Sequence, residues 1–542
     1  MSRILSLLKE GKKKEAWQMY CGFIRLSTAA FMQVQERLLK EQLELAAPSG
    51  LARKLAGGDL PKNVHDFRRH FPLTTYEDYA PFLSEKREDL LPARPELWIC
   101  TTGKPGKYDR KWAPYSPSMV AAHAKNFMAA IIFSVAAREE EFTLKENFRF
   151  LYGMAPPPYL TGMVPYGLKN EFPFEYLPPL AEAEKMTFEE RNKEGFRLGL
   201  TKGVDLFFGL SSVLVRIGEE FTGRKPEKTV KPGRFGLLAW SRLLRGLVKS
   251  RLNSRSILPK DVWNLKGIIC AGTDTAFYKE RIEHYWGKKP VEIYGGTEIG
   301  IAATQTWDHE GMVLFPDANY WEFIPEEEYF KTRKNPVYVP QTVLTNELEP
   351  GKRYEIVVTN FRGGAFLRYR VGDFIKVLAL KNERLGIDLP QIIYEDRADD
   401  VIDLAGFTRI TERTLWDALK KAGITHGNWV AKKSFPKDHP VIELYLGTNP
   451  SGKAGEVEES IHQALRQVDA DYHDLEEILG YRPVKVVLVP EGFFKTCRQR
   501  QKAASKDRFP ENFSRINPPD ELFEELTAFK AQKREEEGQP RS

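Results

Sequence analysis

From Glu96 onward, apolar runs of strand length alternate with helical patterns, and this alternation limits the possible folds more than any other feature of the chain. The runs include "FRFLYGM" (148–154), "VDLFFGLS" (204–211), "LKGIICAGT" (265–273), "VEIYGG" (291–296) and "RYEIVVTN" (353–360). Between two of them, "DTAFYKERIEHYWG" places Phe277, Ile282 and Tyr285 near helical spacing, with Thr275 as a cap and Gly287 at the C-terminus. Strand–helix–strand alternation predicts an α/β fold whose mostly parallel sheets are covered by helices. Ligands in such folds bind beyond the carboxyl ends of strands, and "GTE" follows "VEIYG" at such an end.

Around this region the texture changes twice. Residues 1–60 read as helix, rich in Lys, Glu, Gln, Leu and Ala from Lys9 to Leu45. After Asp400, "NWVAKKSF" and "VIELYLGT" look like strands of a small α+β unit. Val457, Ile461, Leu465, Val468 and Tyr472 then mark one helix, and "VKVVLVP" (484–490) a last strand. The expected organisation is a large domain over 1–396 and a small C-terminal domain over 397–542, with a disordered tail near 533–542. "KPGRFGLLAWSRLLRGLVKSRLNSR" (231–255) is basic and amphipathic. Its one-face periodicity favours an outer helix of the α/β domain over a membrane-surface helix.

Charge and cysteine content exclude several classes. A net charge of +6, from 81 basic and 75 acidic side chains, argues weakly for anionic ligands and not for nucleic acid. Cys21, Cys100, Cys270 and Cys497 lie far apart, without metal-ligand or redox spacing. That fits a reducing cytoplasm. The apolar run near the N-terminus is too short for a secretory signal, and "MAAIIFSVAA" (128–137) covers about half a membrane span. The expectation is a cytoplasmic protein without a membrane span.

Four stretches carry chemistry. "CTTGKPGKYDRKWAPYS" (100–116) joins hydroxyls, glycines and lysines, and such a loop can cradle phosphates through its N–H groups or be a plain surface loop. It lacks Walker spacing. In "YGGTE", Glu298 can hold a magnesium ion, Thr297 can bond a phosphate oxygen and Tyr294 can stack on a base; the alternative is a capped strand-to-helix turn. In "FLRYRVGDFIKV" (366–377), two arginines alternate before Gly372 and Asp373 close the strand. Asp373 can accept bonds from ribose hydroxyls, or mark a β-turn. "YEDRADDVIDLAGFTRI" (394–410) is acidic and can be a charged linker.

Together, in this order, the stretches resemble the adenylate-forming superfamily of acyl-CoA synthetases, luciferases and adenylation domains. More closely they resemble the auxin-responsive acyl-acid amido synthetase family of plants and its bacterial relatives. "FRRHFPLTTYEDYAPFL" (67–83), "PDANYWEFIPEEE" (316–328), "YEIVVTNFRGGAFLRYRVGD" (354–373) and "LRQVDADYHDLEEILGYRPVKVVLVPEGFF" (465–494) share that look. The resemblance implies an ATP- and magnesium-dependent ligase. It would activate a carboxylic acid as an acyl-adenylate and pass it to an amino acid. Coenzyme A as acceptor, or a nucleotide-binding relative without turnover, are the alternatives. It implies a phosphate loop at Thr101, Thr102, Gly103 and Lys104, an adenine-lining segment at Gly272 and Thr273, and a nucleotide and metal motif at Tyr294, Gly295, Gly296, Thr297 and Glu298. Asp373 and Arg397 would serve the ribose, and Asp399 the hinge. Two departures stand out: Lys104-Pro105 replaces the usual Gly-Thr-Ser/Thr-Gly continuation, and Asn512 stands where a lysine is expected. Lys502 and Lys506 lie upstream of it.

Overall fold

The computed structural model describes residues 2–101, 110–223, 237–272, 275–335, 337–397, 401–404, 408–424, 428–436, 439–447, 454–490, 492–494, 496–497, 515–518 and 520–536. Contacts divide the chain into two compact units, with the boundary in the main chain between Ala398 and Asp399.

The larger unit begins with helices over Arg3–Lys9, Lys13–Cys21, Thr28–Ala46 and Gly50–Ala56. Gly11, at φ +75°, and Ser27, whose side chain caps the Thr28–Ala46 helix by accepting from Ala30 N, break what reads as one continuous helical stretch. The strands follow: β1 (Leu97–Cys100), β2 (Trp112–Tyr115), β3 (Ala136–Arg138), β4 (Glu141–Phe142), β5 (Arg149–Tyr152), β6 (Glu175–Leu177), β7 (Leu206–Leu210), β8 (Gly267–Ala271), β9 (Val291–Gly296), β10 (Gly300–Gln305), β11 (Met312–Leu314), β12 (Asn319–Pro325), β13 (Val343–Leu344), β14 (Arg353–Asn360), β15 (Tyr369–Ala379) and β16 (Gln391–Arg397).

Twelve of them form one sheet in the order β13-β12-β14-β15-β16-β11-β10-β9-β8-β7-β5-β6. The α/β class holds, but "mostly parallel" does not. Ladders from β6 through β5, β7 and β8 to β9 are parallel. Those from β9 across to β13 are antiparallel. Helices over Phe188–Lys202, Leu237–Leu252 and Thr275–Trp286 carry the chain back between parallel strands. Beyond β9 no connection returns the chain to a parallel neighbour: a tight turn joins β9 to β10, and the helix Glu326–Lys334 lies between antiparallel β12 and β13.

Two helices depart from simple expectation. In Thr275–Trp286, Ile282 is buried and Tyr285 packs half-buried on the core as expected, while Phe277 is exposed and Thr275, Tyr278 and Trp286 are buried. Thr275 is the first helical residue rather than the cap, and its hydroxyl donates to Gly272 O at 3.1 Å. Leu237–Leu252 is an outer helix, yet its buried positions are Ala239, Gly246 and Ser250, and most of its large apolar side chains face solvent. Pro117–Val135 is long and apolar enough to cross a membrane, but it is mostly buried as a core helix.

A buried ion pair joins the N-terminal segment to the antiparallel half. Glu322 on β12 is fully buried and accepts from Arg368 Nε at 3.1 Å and Nη2 at 3.0 Å. Arg368 Nη1 also donates to Arg68 O and Phe71 O, at 2.6 and 2.7 Å. The neighbouring Arg370 is held by Glu355, at 3.0 and 2.6 Å. The two arginines of "FLRYRVGDF" are therefore structural clamps.

The smaller unit has a hairpin, β17 (Val401–Leu404) with β18 (Thr408–Thr411), and a three-stranded sheet of β19 (Trp429–Ser434), β20 (Val441–Gly447) and β21 (Val484–Val489). The helical stretch expected from Val457 to Tyr472 is two helices, Ala454–Val468 and Ala470–Leu479. Asp469 separates them, its carboxylate accepting from Tyr472 N as a cap. The last helix, Asp520–Glu536, runs into the segment expected to be disordered, because Lys, Arg and Glu are strong helix formers. All four thiols are buried and none forms a disulfide: Cys21 among the first helices, Cys100 at the end of β1, Cys270 within β8 and Cys497 in the small unit.

Breaking one member of a buried pair strands the other charge. Glu322→Gln is expected to cost about 3–5 kcal/mol of stability in urea unfolding of the full chain.

Candidate active site

"YGGTE" forms a tight β-hairpin: β9 ends at Gly296, Thr297–Ile299 turn, and β10 starts at Gly300. The chain therefore leaves the turn into a strand, not a helix. This tightness explains one of the two glycines. A Cβ on Gly295 would lie 2.5 Å from Gly300 O, so the hairpin itself requires glycine there. A Cβ on Gly296 would meet only the Ile299 side chain at 3.5 Å, an ordinary contact. Gly295 is exposed and Gly296 half-buried, so the backbone of both is accessible.

The turn is fixed from three sides. Tyr115 Oη donates to Thr297 O at 2.9 Å, and Asn360 Nδ2 donates to Glu298 O at 3.0 Å. Asn319 Nδ2 donates to Ile299 O at 2.8 Å. Beneath it, Ile301 N donates to His123 Nδ1 at 3.2 Å. Gly300 has φ +65°, and a Cβ there would sit 2.2 Å from the His123 ring. Burial, helped by the nearby Arg362 cation, pushes the His123 imidazole down to about 3. It is a neutral acceptor under the hairpin.

The side chains form two pairs. Tyr294 Oη donates to Asp373 Oδ2 at 2.7 Å, and both residues are buried. Tyr369 Oη donates to Glu298 Oε1 at 3.0 Å, with Lys111 Nζ 3.8 Å from the same oxygen. Asp373 lies in the middle of β15, which runs on to Ala379, so neither a strand end nor a β-turn describes it. Its Cα partner in β16 is Arg397. Gly272, at φ +118°, is one residue past the Ala271–Ile293 pair and so lies beside Tyr294. Thr101 is buried at the end of β1 and exchanges bonds with Lys111: Thr101 N to Lys111 O at 3.0 Å, and Lys111 N to Thr101 Oγ1 at 3.2 Å.

The fold thus brings Gly272, Tyr294–Glu298 and Asp373 together, with the Arg397 backbone opposite Asp373 and Thr101 linked to the hairpin through Lys111. Thr102, Gly103, Lys104, Thr273, Asp399, Lys502, Lys506, Asn512 and the Arg397 side chain lie outside what the structure describes. Residues that the sequence reading did not single out join the site: Lys111, Tyr369, Tyr115, Asn360 and His123. Lys111 lies inside the quoted loop and Tyr369 inside "FLRYRVGD", so position relative to the motif was the available signal. His123, one histidine in an apolar helix, gave none.

Among the described residues, no cluster of three or more His, Cys, Asp or Glu side chains forms a metal cage. Glu298 is a lone, largely buried carboxylate. That donor set fits magnesium, which keeps waters and is held by one or two carboxylates together with substrate phosphates.

Two segments match family models: the GH3 family N-terminal domain over residues 21–153 and the GH3 family central domain over 312–390. Over these two segments the chain is similar to the GH3 family. The resemblance drawn from the motifs is borne out. A jasmonoyl–L-amino acid synthetase, GH3.5, of Oryza sativa is 28% identical over 243 residues, which is 40% of this chain and 39% of the relative. The indole-3-acetic acid-amido synthetase GH3.3 of Arabidopsis thaliana is 25% identical over 217 residues, 35% of this chain and 34% of the relative. A human GH3 domain-containing protein is 24% identical over 243 residues, 42% of each chain. Each match spans well under half of the relative's length.

Solved structures extend the likeness of fold to nearly the whole chain. An acyl acid amido synthetase, AtGH3.15, in complex with 2,4-DB superposes with a TM-score of 0.51 at 16% identity, over 97% of this chain and 95% of that one. A 2-hydroxyisobutyryl-CoA ligase in complex with 2-HIB-AMP and CoA gives 0.53 at 14% identity, over 95% and 94%. The chain therefore shares the fold of these two enzymes.

A histidine held neutral by burial contributes stability that is full above its unfolded pKa of 6.5 and is lost as pH falls toward about 3. His123→Gln is expected to lower stability at neutral pH. It should also flatten the decline in acid by up to about 1.4 kcal/mol per pH unit, read from urea midpoints at stepped pH.

Proposed function

We propose that this chain is an ATP-dependent ligase that activates a carboxylic acid as an acyl-adenylate and transfers the acyl group to the amine of an amino acid. The observation that carries the reading is the gathering of Glu298, Lys111 and Asp373 about one glycine-bearing hairpin, on the fold of adenylate-forming enzymes. The amino acid acceptor is supported by the GH3 domains and by relatives whose names describe acid–amino acid conjugation. Coenzyme A is the second reading, because a ligase using it shares the fold. Buried thiols, none in a disulfide, fit the cytoplasm.

In the first step a carboxylate oxygen of the acid attacks the α-phosphorus of ATP, and pyrophosphate leaves with the electron pair of the broken P–O bond. In the second, the amine attacks the acyl carbon, AMP leaves, and the amine loses a proton. Neither step needs a protein nucleophile. The chain's task is to position the reactants and offset charge. Lys111 supplies a cation beside the hairpin, and the Thr297 hydroxyl is suited to bonding an α-phosphate oxygen. Asp373 is suited to accept from ribose hydroxyls, and Gly295 and Gly296 leave backbone open to the nucleotide. Glu298 is the residue that would hold magnesium, which when bound offsets phosphate charge.

Three substitutions test the site, by acid-dependent ATP–pyrophosphate exchange and by calorimetric titration with ATP. Glu298→Gln keeps the shape and removes the charge, and exchange is expected to fall about 10²–10³-fold. Wild-type exchange would remove Glu298 from the mechanism. Asp373→Ala is expected to weaken ATP binding by roughly 1.5–3 kcal/mol in calorimetric titration. Tyr294→Phe separates the two roles of Asp373, since it removes only the tyrosine hydroxyl. Equal losses in both variants would make Asp373 an anchor for Tyr294 rather than a ribose ligand. Mass spectrometry of products formed with amino acids or coenzyme A then decides the acceptor.

A further inference from the structure

The helix Leu237–Leu252 is built inside out. A surface helix ordinarily turns its large apolar residues to the core and its polar residues to water. Here the fully buried positions are small, with half-buried Leu243 packed on the core beside them. Ala239, Gly246 and Ser250 are buried, and a Cβ on Gly246 would touch Ile257 at 2.9 Å and Val262 at 3.2 Å. The solvent side carries Leu238 (64% exposed), Trp240 (42%), Leu244 (63%), Leu247 (45%), Val248 (50%) and Leu252 (80%). Trp240, Leu244, Val248 and Leu252 recur every four residues, so they form one stripe along the helix. Monomers rarely leave such a contiguous apolar face uncovered.

The charge beside the stripe identifies what covers it. Arg245, Lys249 and Arg251 are exposed on the same helix, and from Leu237 to Arg255 the sequence holds five basic residues and no acidic one. A second copy paired face to face would bring these cations against their own images. The preceding sequence 224–236 has Arg224, Lys225, Lys228, Lys231 and Arg234 against a single Glu227, so its charge repels the helix as well. An anionic lipid surface meets both demands. Its acyl region takes the leucines and valine, its headgroup level suits the amphipathic Trp240, and its phosphates and carboxylates pair with the cations.

We propose that Leu237–Leu252 is an interfacial helix that docks the protein, in plane, on membranes bearing anionic lipids. The exposed stripe inserts to the depth of the headgroup–acyl boundary, while Ala239, Gly246 and Ser250 stay on the protein. The docking is independent of the ligase reading, since it uses none of the residues of the hairpin site.

The test is flotation of the full chain with vesicles of phosphatidylcholine alone, or with roughly one third phosphatidylserine, at low and high salt. Wild type is expected to float with the anionic vesicles, to do so less at high salt, and to float little with the neutral ones. Leu244→Glu with Val248→Glu is expected to reduce binding at least about tenfold. Arg245→Gln with Lys249→Gln, which leaves the packed face untouched, is expected to reduce it about fivefold for each charge removed. Circular dichroism and Tm equal to wild type show that the variants are folded. Absence of flotation, or flotation unchanged in the folded Leu244→Glu, Val248→Glu variant, would overturn the proposal. So would a dimer in light scattering that this variant dissociates, since a second copy would then be the occupant.

Discussion

The carboxylate of Glu322 and the guanidinium of Arg368 meet in the protein interior, and the site depends on that meeting. Arg368 adopts φ +43°, an uncommon angle for a residue with a side chain, and immediately precedes β15. Its bonds to Glu322, Arg68 O and Phe71 O fix where the strand begins. The next residue is Tyr369, whose hydroxyl holds Glu298, and four positions later comes Asp373, which holds Tyr294. One buried ion pair thus sets the starting point of the strand that orients both acidic side chains. Such pairs are weak contributors to net stability but strong specifiers of arrangement when every donor is satisfied.

The hairpin shows the same economy from the other side. Its turn is held through backbone carbonyls at Thr297, Glu298 and Ile299, by Tyr115, Asn360 and Asn319. Backbone fastening takes no side-chain atom of Thr297 or Glu298 for the turn itself. His123 below needs no charge to do its part, because a neutral ring accepts the Ile301 N–H and a charged one would be stranded in the core.

Local pattern made the α/β class legible, because period and turn residues are written along the chain. The strand cores at 149–152, 206–210, 267–271, 291–296 and 353–360 lie within the runs quoted from it. Tyr294, Glu298 and Asp373 were legible as candidates by their order and company. Non-local pairing was not. Nothing in "YGGTE" distinguishes a turn into a helix from a turn into β10, since the answer lies in which strand accepts the next residues. The antiparallel half escaped for the same reason. Asp373 reads as a strand end because Gly372 precedes it, yet the ladder with β16 carries the strand on to Ala379. Helix faces failed differently: periodicity reveals that Leu237–Leu252 is two-sided but not which side the protein takes.

The distribution of thiols has a use beyond redox bookkeeping. Cys21, Cys100, Cys270 and Cys497 are each buried, and each belongs to a different part of the molecule: the N-terminal helices, the strand leading to the loop, the parallel half of the sheet, and the small unit. A thiol reagent cannot reach any of them until its surroundings open. Alkylation at each position, resolved by peptide mapping, therefore times the opening of that neighbourhood alone. The native sequence comes already equipped with four internal stopwatches, and no label need be engineered to learn which part of the protein loosens first.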